Sequence, residues 1–164
     1  VTRWAEQELK PQRNAFVVHR LDRAANGLIV IAHEKQAAAK LSALFQQRDI
    51  DKRYRIWVEG EFSAAATSDK PITVDLPIDG RHARSHFVFM QYDPVKQQSL
   101  LDVSIETGRK HQIRRHAASL GFPVIGDRLY GQRKTTENLQ LSAYYLAFIC
   151  PFTGQPRKFD LLAG

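Results

Sequence analysis

The stretch from Glu34 to Phe62, EKQAAAKLSALFQQRDIDKRYRIWVEGEF, changes its hydrophobic period part-way along. Its first part, Glu34–Arg48, places apolar side chains at helical spacing, so we predict a helix there. Its last part, Tyr54–Phe62, alternates apolar and polar residues, which is typical of a strand with one face in solvent. A helix that leads into such a strand indicates a fold that contains both elements.

The rest of the chain contains more strand patterns than helix patterns. We predict helices at Val1–Lys10 and Lys110–Leu120, with Thr107 as a possible cap of the second. Strands are predicted at Ala15–Val18, Leu28–Ala32, Arg84–Tyr92, Ser99–Ile105, Ala143–Cys150 and Arg157–Leu161. Many strands with few helices predict an α+β fold, with a mixed, largely antiparallel sheet flanked by helices.

Length and composition indicate one soluble domain. A chain of 164 residues is the size of a single domain, and the small, polar segment Ser63–Pro71 is typical of an exposed loop, so we predict one domain over residues 1–164. The apolar runs are too short to span a bilayer, and the first residues carry no signal-peptide core. The single cysteine, Cys150, fits a reducing compartment. We therefore expect a cytoplasmic protein.

The charge balance favours a polyanion as partner. The chain has 24 Lys and Arg residues against 17 Asp and Glu residues, a net charge of +7. The basic residues gather at Arg48–Arg55, Arg81–His86, Arg109–Arg115 and Arg128–Lys134. Nucleic-acid binding needs many such groups, since each neutralised phosphate releases counterions. A plainly solvated basic face is the alternative interpretation.

The loop His19–Gly27, HRLDRAANG, holds a carboxylate between two guanidinium groups. Asp22 is flanked by Arg20 and Arg23. A carboxylate near positive charge stays ionised, which suits a nucleophile or an electrostatic stabiliser better than a general acid. The alternative is an aspartate in a surface turn with local arginine partners.

The segment Glu106–His116, ETGRKHQIRRH, concentrates hydrogen-bond donors where a predicted helix begins. These donors are Arg109, His111, Gln112, Arg114 and Arg115. The positive end of a helix dipole favours anions, although a solvated basic helix start is the plainer interpretation. His111 and His116 are five residues apart and lie on different helix faces, so we expect no metal site.

Together these segments resemble the RluA-type pseudouridine synthases, which modify uridines in ribosomal and transfer RNA. The resemblance runs in order from about His19 to the C-terminus. It rests on HRLDRAANGL, the strand start Lys52-Arg53-Tyr54, ETGRKHQIRRHAASLGFPVIGDRLYG and LSAYYLAFICPFTGQ. It implies the pseudouridine synthase catalytic fold with a central active-site cleft, and an RNA partner.

The resemblance also implies a catalytic group. Asp22 corresponds to the catalytic aspartate, and Arg114 would pair with it and keep it ionised. Tyr54 would stack on the target uracil and could take the proton from C5, while Ile113 would contact the base. Arg20 would support the loop or touch RNA. The remaining donors would bind RNA; they are Arg109, His111, Gln112 and Arg115.

The chemistry agrees with these residue types. Pseudouridine forms when the bond from C1′ to N1 breaks, the uracil turns, and C5 joins C1′. An ionised carboxylate can attack the sugar, capture an oxocarbenium-like species, or remove a ribose proton. The uracil must leave the base stack to be reached. No metal or organic cofactor is needed.

The chain departs from the family pattern in two places. Ala25 and Asn26 stand where the family has Thr and Ser, so two hydroxyls are lost from the loop. We also expect the N-terminal strands of the family to be missing, which would expose sheet edges and permit association between chains. Two alternatives stay open: a catalytically impaired RNA-binding or ribosome-assembly protein on the same fold, and an unrelated hydrolase or nuclease that uses Asp22 and His19.

Overall fold

A computed structural model of the chain describes residues 1–8, 12–62, 70–132 and 134–163. Its helices are α1 (Thr2–Glu8), α2 (Lys35–Gln47) and α3 (Gln112–Ser119). Its strands are β1 (Phe16–Val17), β2 (Asn26–Gly27), β3 (Ile31–Ala32), β4 (Ile50–Glu59), β5 (Ile72–Asp75), β6 (Arg84–Asp93), β7 (Gln98–Ile105), β8 (Leu141–Ile149) and β9 (Pro156–Asp160).

Seven of these strands form one sheet with the order β2-β8-β4-β7-β6-β5, and β9 also pairs with β8. The β2–β8 pairing is parallel and the other pairings in this sheet are antiparallel. Strands β1 and β3 form a separate two-stranded ribbon that contacts α2. The prediction of an α+β fold with a mixed, largely antiparallel sheet is confirmed.

Strand β4 lies near the middle of the sheet and alternates as its sequence predicts. Tyr54, Ile56 and Val58 are buried, whereas Arg53 on the opposite face is exposed. The buried side chains pack into the main hydrophobic core together with Ile113 and other residues of α3. The core therefore lies between α3 and one face of the sheet.

Helix α3 begins two residues later than predicted, because His111 has a left-handed backbone with φ of 53°. That conformation is incompatible with an α-helix, so the helix begins at Gln112. Thr107 does not cap the helix from the N-cap position; its hydroxyl instead donates a hydrogen bond to Gln112 Oε1 at 2.6 Å.

The segment after the Asp22 loop also differs from its prediction. The predicted strand Leu28–Ala32 is shortened to β3, and Asn26–Gly27, predicted as loop, pairs with β8 instead. Gly27 has a φ of 111° and lies so close to Ala143 that a Cβ would collide with that backbone. This close approach requires glycine and moves the strand start toward the loop.

Two further differences concern the chain ends and the edge of the sheet. The short edge strand β5 was not predicted, since four residues with two apolar positions give a weak alternating pattern. The predicted helix Val1–Lys10 is found as α1, with residues 9–11 outside the described part. Most of the loop predicted at Ser63–Pro71 also lies outside it.

Within the described residues, no helix has the length and apolar character needed to cross a membrane.

Candidate active site

A cavity of about 370 Å³ opens between the Asp22 loop, the end of α2, strand β4 and the start of α3. It brings together segments that are almost a hundred residues apart in sequence. Six of the predicted site residues line it: Arg20, Asp22, Tyr54, Arg109, Gln112 and Ile113. The fold therefore combines the predicted loop and helix groups in one site.

The Asp22 loop is anchored at both ends. At its start, the His19 ring stacks on Phe45 of α2, with ring centroids 4.2 Å apart, and His19 Nε2 accepts a hydrogen bond from the backbone N–H of Val30 at 2.9 Å. At its end, β2 pairs with β8. Between them, the backbone N–H of Ala25 donates to the carbonyl of Asp22 at 3.0 Å. Backbone bonds thus support the loop where the family's hydroxyls are absent.

Asp22 and Tyr54 face the same cavity with different exposure. The Asp22 side chain is 17% exposed, while Tyr54 is buried. Burial, and secondly the negative charge of Asp22, raises the pKa of Tyr54 to about 12. The phenol of Tyr54 is therefore neutral at physiological pH, and its hydroxyl is available as a hydrogen-bonding group.

Arg114 lies beside Asp22 but is bonded to another aspartate. Its Nη1 is 3.8 Å from Asp22 Oδ2, which is an ion-pair distance and too long for a hydrogen bond. Its Nε and Nη2 donate to Asp127 Oδ2 and Oδ1 at 2.7 and 2.6 Å. The predicted proximity of Arg114 to Asp22 is found, yet the principal partner of Arg114 is Asp127, a residue that was not predicted to belong to the site.

A turn after α3 holds Asp127 in place. Burial acts to raise the pKa of Asp127, but hydrogen bonds from Arg114 and from the backbone N–H groups of Leu129 and Tyr130 lower it below its ordinary value. The Tyr130 ring lies 5.2 Å from the Arg114 guanidinium, and its hydroxyl is hydrogen-bonded to His111 Nδ1 at 3.0 Å. The motif GDRLYG was the sequence signal for this turn.

Gln112 was predicted to bind RNA, but all four hydrogen-bonding positions of its amide are used within the protein. It is 3% exposed. Its Oε1 accepts from the Thr107 hydroxyl and the Arg109 N–H, and its Nε2 donates to the Arg84 carbonyl and to Ser85 Oγ. Its amide therefore connects the start of α3 to strand β6.

The other predicted RNA-binding side chains lie around the rim or farther out. Arg20 is exposed at the cavity, and Arg109 lines it while its Nε donates to the carbonyl of His82 at 3.0 Å. His111 and Arg115 are not among the described residues that line the cavity, and Arg115 pairs with Asp79 at 2.9 Å. The structure therefore separates a cavity group from a flanking basic group.

Lys52 was part of a recognised motif but received no role from sequence. It lines the cavity wall with its Nζ 4.5 Å from the centre of the Phe45 ring. Burial lowers its pKa to about 8. In the described part of the chain, no group of three or more His, Cys, Asp and Glu residues could hold a metal ion.

The model of the RNA pseudouridylate synthase family matches residues 2–119, a range that includes the Asp22 loop, Tyr54 and Arg114. The chain belongs to this family. The resemblance to RluA-type synthases is thereby confirmed, because relatives with ribosomal and tRNA synthase names match the same chain.

Three relatives show how much of the synthase family's length the chain covers. An RNA pseudouridine synthase of Chloroflexus aurantiacus is 39% identical over 163 residues, which cover 93% of this chain and 50% of that protein. Ribosomal large subunit pseudouridine synthase D of Zymomonas mobilis is 33% identical, and the match covers 88% of this chain and 51% of that protein. tRNA pseudouridine synthase C of Vibrio cholerae is 30% identical, with 94% and 76% covered. The chain thus spans about half the length of the first two relatives.

Solved structures of pseudouridylate synthases share the fold. Human RNA Pseudouridylate Synthase Domain Containing 1 superposes with a TM-score of 0.75 at 22% identity, covering 90% of this chain and 68% of that one. Human RNA Pseudouridylate Synthase Domain Containing 4 superposes with a TM-score of 0.72 at 18% identity, covering 97% of this chain and 76% of that one. At these identities the likeness concerns the fold alone.

Proposed function

We propose that this chain carries the catalytic site of an RNA pseudouridine synthase that isomerises a uridine in structured ribosomal or transfer RNA. Family membership supports the reaction class. The observation that supports the site is that Asp22, Tyr54 and Ile113 line one cavity, with the Arg114 guanidinium 3.8 Å from the Asp22 carboxylate.

The size and wall of the cavity suit one flipped nucleotide. A volume of about 370 Å³ lies in the range of small-ligand sites. A uridine in a folded RNA must leave its stack to enter such a site, and an enzyme can favour this by offering surfaces for the extruded base. Tyr54 and Ile113 supply an aromatic and an aliphatic surface.

Asp22 carries the chemical step. Its carboxylate attacks C1′ or removes a ribose proton, and either route allows the bond from C1′ to N1 to break. The freed uracil turns within the cavity and C5 joins C1′, which breaks the bond from Asp22 to C1′ or follows return of the ribose proton. The proton on C5 then leaves and N1 gains one. The atoms of uridine are only rearranged, so no water is consumed.

Arg114 stabilises and aims Asp22 without binding it tightly. Its orientation is set by Asp127, so its positive charge is already placed before the substrate arrives. Because Arg114 makes no hydrogen bond to Asp22 at 3.8 Å, that contact does not occupy the Asp22 oxygens, and they can reach the sugar.

Tyr54 contacts the base as a neutral phenol. Burial raises its pKa to about 12, which disfavours the phenolate that would be needed to remove the C5 proton directly. We therefore assign stacking to the ring and hydrogen bonding to the hydroxyl. This narrows the two roles that the family resemblance implies.

The remaining predicted residues fall into two groups. The first group binds the phosphates of the RNA around the target; it consists of Arg20 and Arg109 at the cavity and of His111 and Arg115 outside it. Gln112 acts as a positioning residue, since its amide is committed to the junction between α3 and β6.

The proposal is tested by measuring tritium release from C5-tritiated uridine in ribosomal RNA and in a tRNA pool, followed by mapping of the modified position. We expect release from at least one RNA. A folded protein that binds RNA in a salt-sensitive manner but releases no tritium from any RNA would instead support the second candidate, a catalytically impaired RNA-binding or ribosome-assembly protein. This second candidate is favoured by one observation: Ala25 and Asn26 replace the Thr and Ser of the family in the Asp22 loop.

A further inference from the structure

We propose that Lys52 binds a phosphate of the nucleotide held in the Asp22 cavity, at the point where the RNA strand passes into a second cavity beside it. The inference rests on the proposed function, because it takes RNA as the substrate. It assigns a chemical partner to the half-buried ammonium group of Lys52, which the isomerisation step does not use.

Lys52 lies where two cavities meet. The second cavity, of about 350 Å³, is lined by Lys52, Arg48, Arg109 and Glu106, among other residues. It shares Lys52, Arg109, Phe45, Gln46, Ile105 and Gly108 with the cavity that contains Asp22 and Tyr54. Lys52 and Arg109 are the two cations in this shared wall, so a strand that runs from one cavity into the other passes beside them.

The ammonium group of Lys52 has no carboxylate within ion-pair distance among the described residues. It lies over the Phe45 ring, and Phe45 is itself stacked on His19. Burial lowers the pKa of Lys52 to about 8, as expected for a cation that has lost water without gaining an anion. A phosphate would supply the missing negative charge.

The one acidic residue in the wall of the second cavity does not serve as this anion. Glu106 accepts a hydrogen bond from His86 Nε2 at 2.8 Å and lies 3.6 Å from Arg84 Nη1. Its charge is directed to these two residues on β6. Arg48 and Arg109 add two further cations to the wall of the second cavity, which suits the negative charge of a phosphodiester backbone.

The alternative to phosphate binding is that Lys52 only stabilises the fold through its contact with the Phe45 ring. Lysine over a phenylalanine ring is a stabilising contact in its own right. Lys40 makes the same contact with Phe152 at 5.2 Å, but it is exposed on α2 and lines neither cavity. Lys40→Met is therefore a matched control for Lys52→Met.

The test measures binding of uridine, uridine 5′-monophosphate and uridine 3′-monophosphate to the chain by calorimetry or NMR titration. In the wild type, at least one monophosphate should bind about tenfold more tightly than uridine, the gain expected of one charge-assisted contact. Lys52→Met should reduce this preference to about twofold or less, whereas Lys52→Arg and Lys40→Met should keep it. Which monophosphate is preferred gives the direction of the strand.

Equal affinity for uridine and both monophosphates in the wild type, no saturable binding of any probe, or an unchanged preference in Lys52→Met would each overturn the proposal. Thermal melting checks the fold, and Lys52→Gln replaces Lys52→Met if the latter does not fold. Because monophosphate binding requires no turnover, an intact preference in a chain without isomerase activity would retain this site and remove the proposed function.

Discussion

Arg114 and Asp127 form a buried two-point contact through Nε and Nη2 of the guanidinium, while Nη1 lies 3.8 Å from Asp22 Oδ2. The Asp127 side chain is fully buried and that of Arg114 is 7% exposed, and their two hydrogen bonds are 2.6 and 2.7 Å long. Asp127 also accepts two backbone N–H groups from its own turn. The position of Arg114 next to Asp22 is therefore determined by a residue that does not line the cavity.

Removing Asp127 should be costly for stability. In Asp127→Ala the buried Arg114 charge loses its partner, and we expect a loss of about 3–5 kcal/mol in the free energy of unfolding. Asp79→Asn removes the charge that pairs with the neighbouring Arg115 in a solvent-accessible ion pair, and asparagine tolerates the left-handed backbone at this position (φ of 51°), so it should cost about 1 kcal/mol or less. Urea unfolding of both variants checks this; equal losses would contradict the central place given to Asp127.

Gln112 should behave as a structural support rather than an RNA contact. Gln112→Ala leaves several buried donors and acceptors without partners, so we expect a loss of about 3 kcal/mol in unfolding free energy. Gln140→Ala, at an exposed position, should change it by about 0.5 kcal/mol or less. A stable Gln112→Ala chain with weakened RNA binding would return Gln112 to the RNA-binding group.

Tyr54 variants separate stacking from proton transfer. If the ring supplies the contact, Tyr54→Phe should keep activity within about tenfold of wild type, while Tyr54→Ala should lose about a hundredfold or more. Tritium release under single-turnover conditions gives both rates. A Tyr54→Phe rate as low as that of Tyr54→Ala would mean that the hydroxyl takes part in removing the C5 proton.

The anchoring of His19 predicts a pH dependence of stability. Burial, and secondly the charge of Lys52, lowers the pKa of His19 from 6.5 to about 4. Between these values the unfolded chain takes up a proton that the folded chain does not, so stability should fall as the pH is lowered from about 6.5 to about 4. The pKa values of His111 and His116 are also lowered by burial, so they act in the same direction.

His19→Gln keeps an acceptor that can reach the Val30 N–H and removes one of these titrating groups. Its urea midpoint should decline less steeply than that of the wild type over the same pH range. Parallel declines of the urea midpoint for the two proteins would show that the pKa of His19 is not lowered in the folded chain.

The site was predictable from sequence where the motif residue itself faces the cavity. Tyr54 and Ile113 line it because a strand alternates and a helix repeats, and both periods can be read from the chain. Asp22 lies in a loop and was singled out by its motif and its flanking arginines. Asp127 was missed because its role depends on a contact with Arg114 across a turn, which no local period encodes. The internal hydrogen bonds of Gln112 were not predicted for a related reason: its amide looks available to RNA until β6 is placed against α3.

The order of the strands in the sheet was harder to predict from the sequence than the site. The hairpins β6–β7 and β8–β9 follow from chain proximity, but the pairing of β4 with both β7 and β8 joins segments far apart in the chain. The parallel pairing of β2 with β8 depends on the approach of Gly27 to Ala143, a single glycine within a polar loop. Such long-range contacts are selected by packing rather than by local propensity.

The most direct test of the account is the single-turnover rate of tritium release by Asp22→Asn on an RNA that the wild type modifies. Asparagine preserves the size of the side chain and removes its charge, so the fold should be unchanged by circular dichroism and melting. We predict a rate at least about a thousandfold below that of the wild type, since removal of a reacting group commonly costs this much or more. A folded Asp22→Asn protein with a rate near that of the wild type would contradict the role of Asp22 and the site built around it.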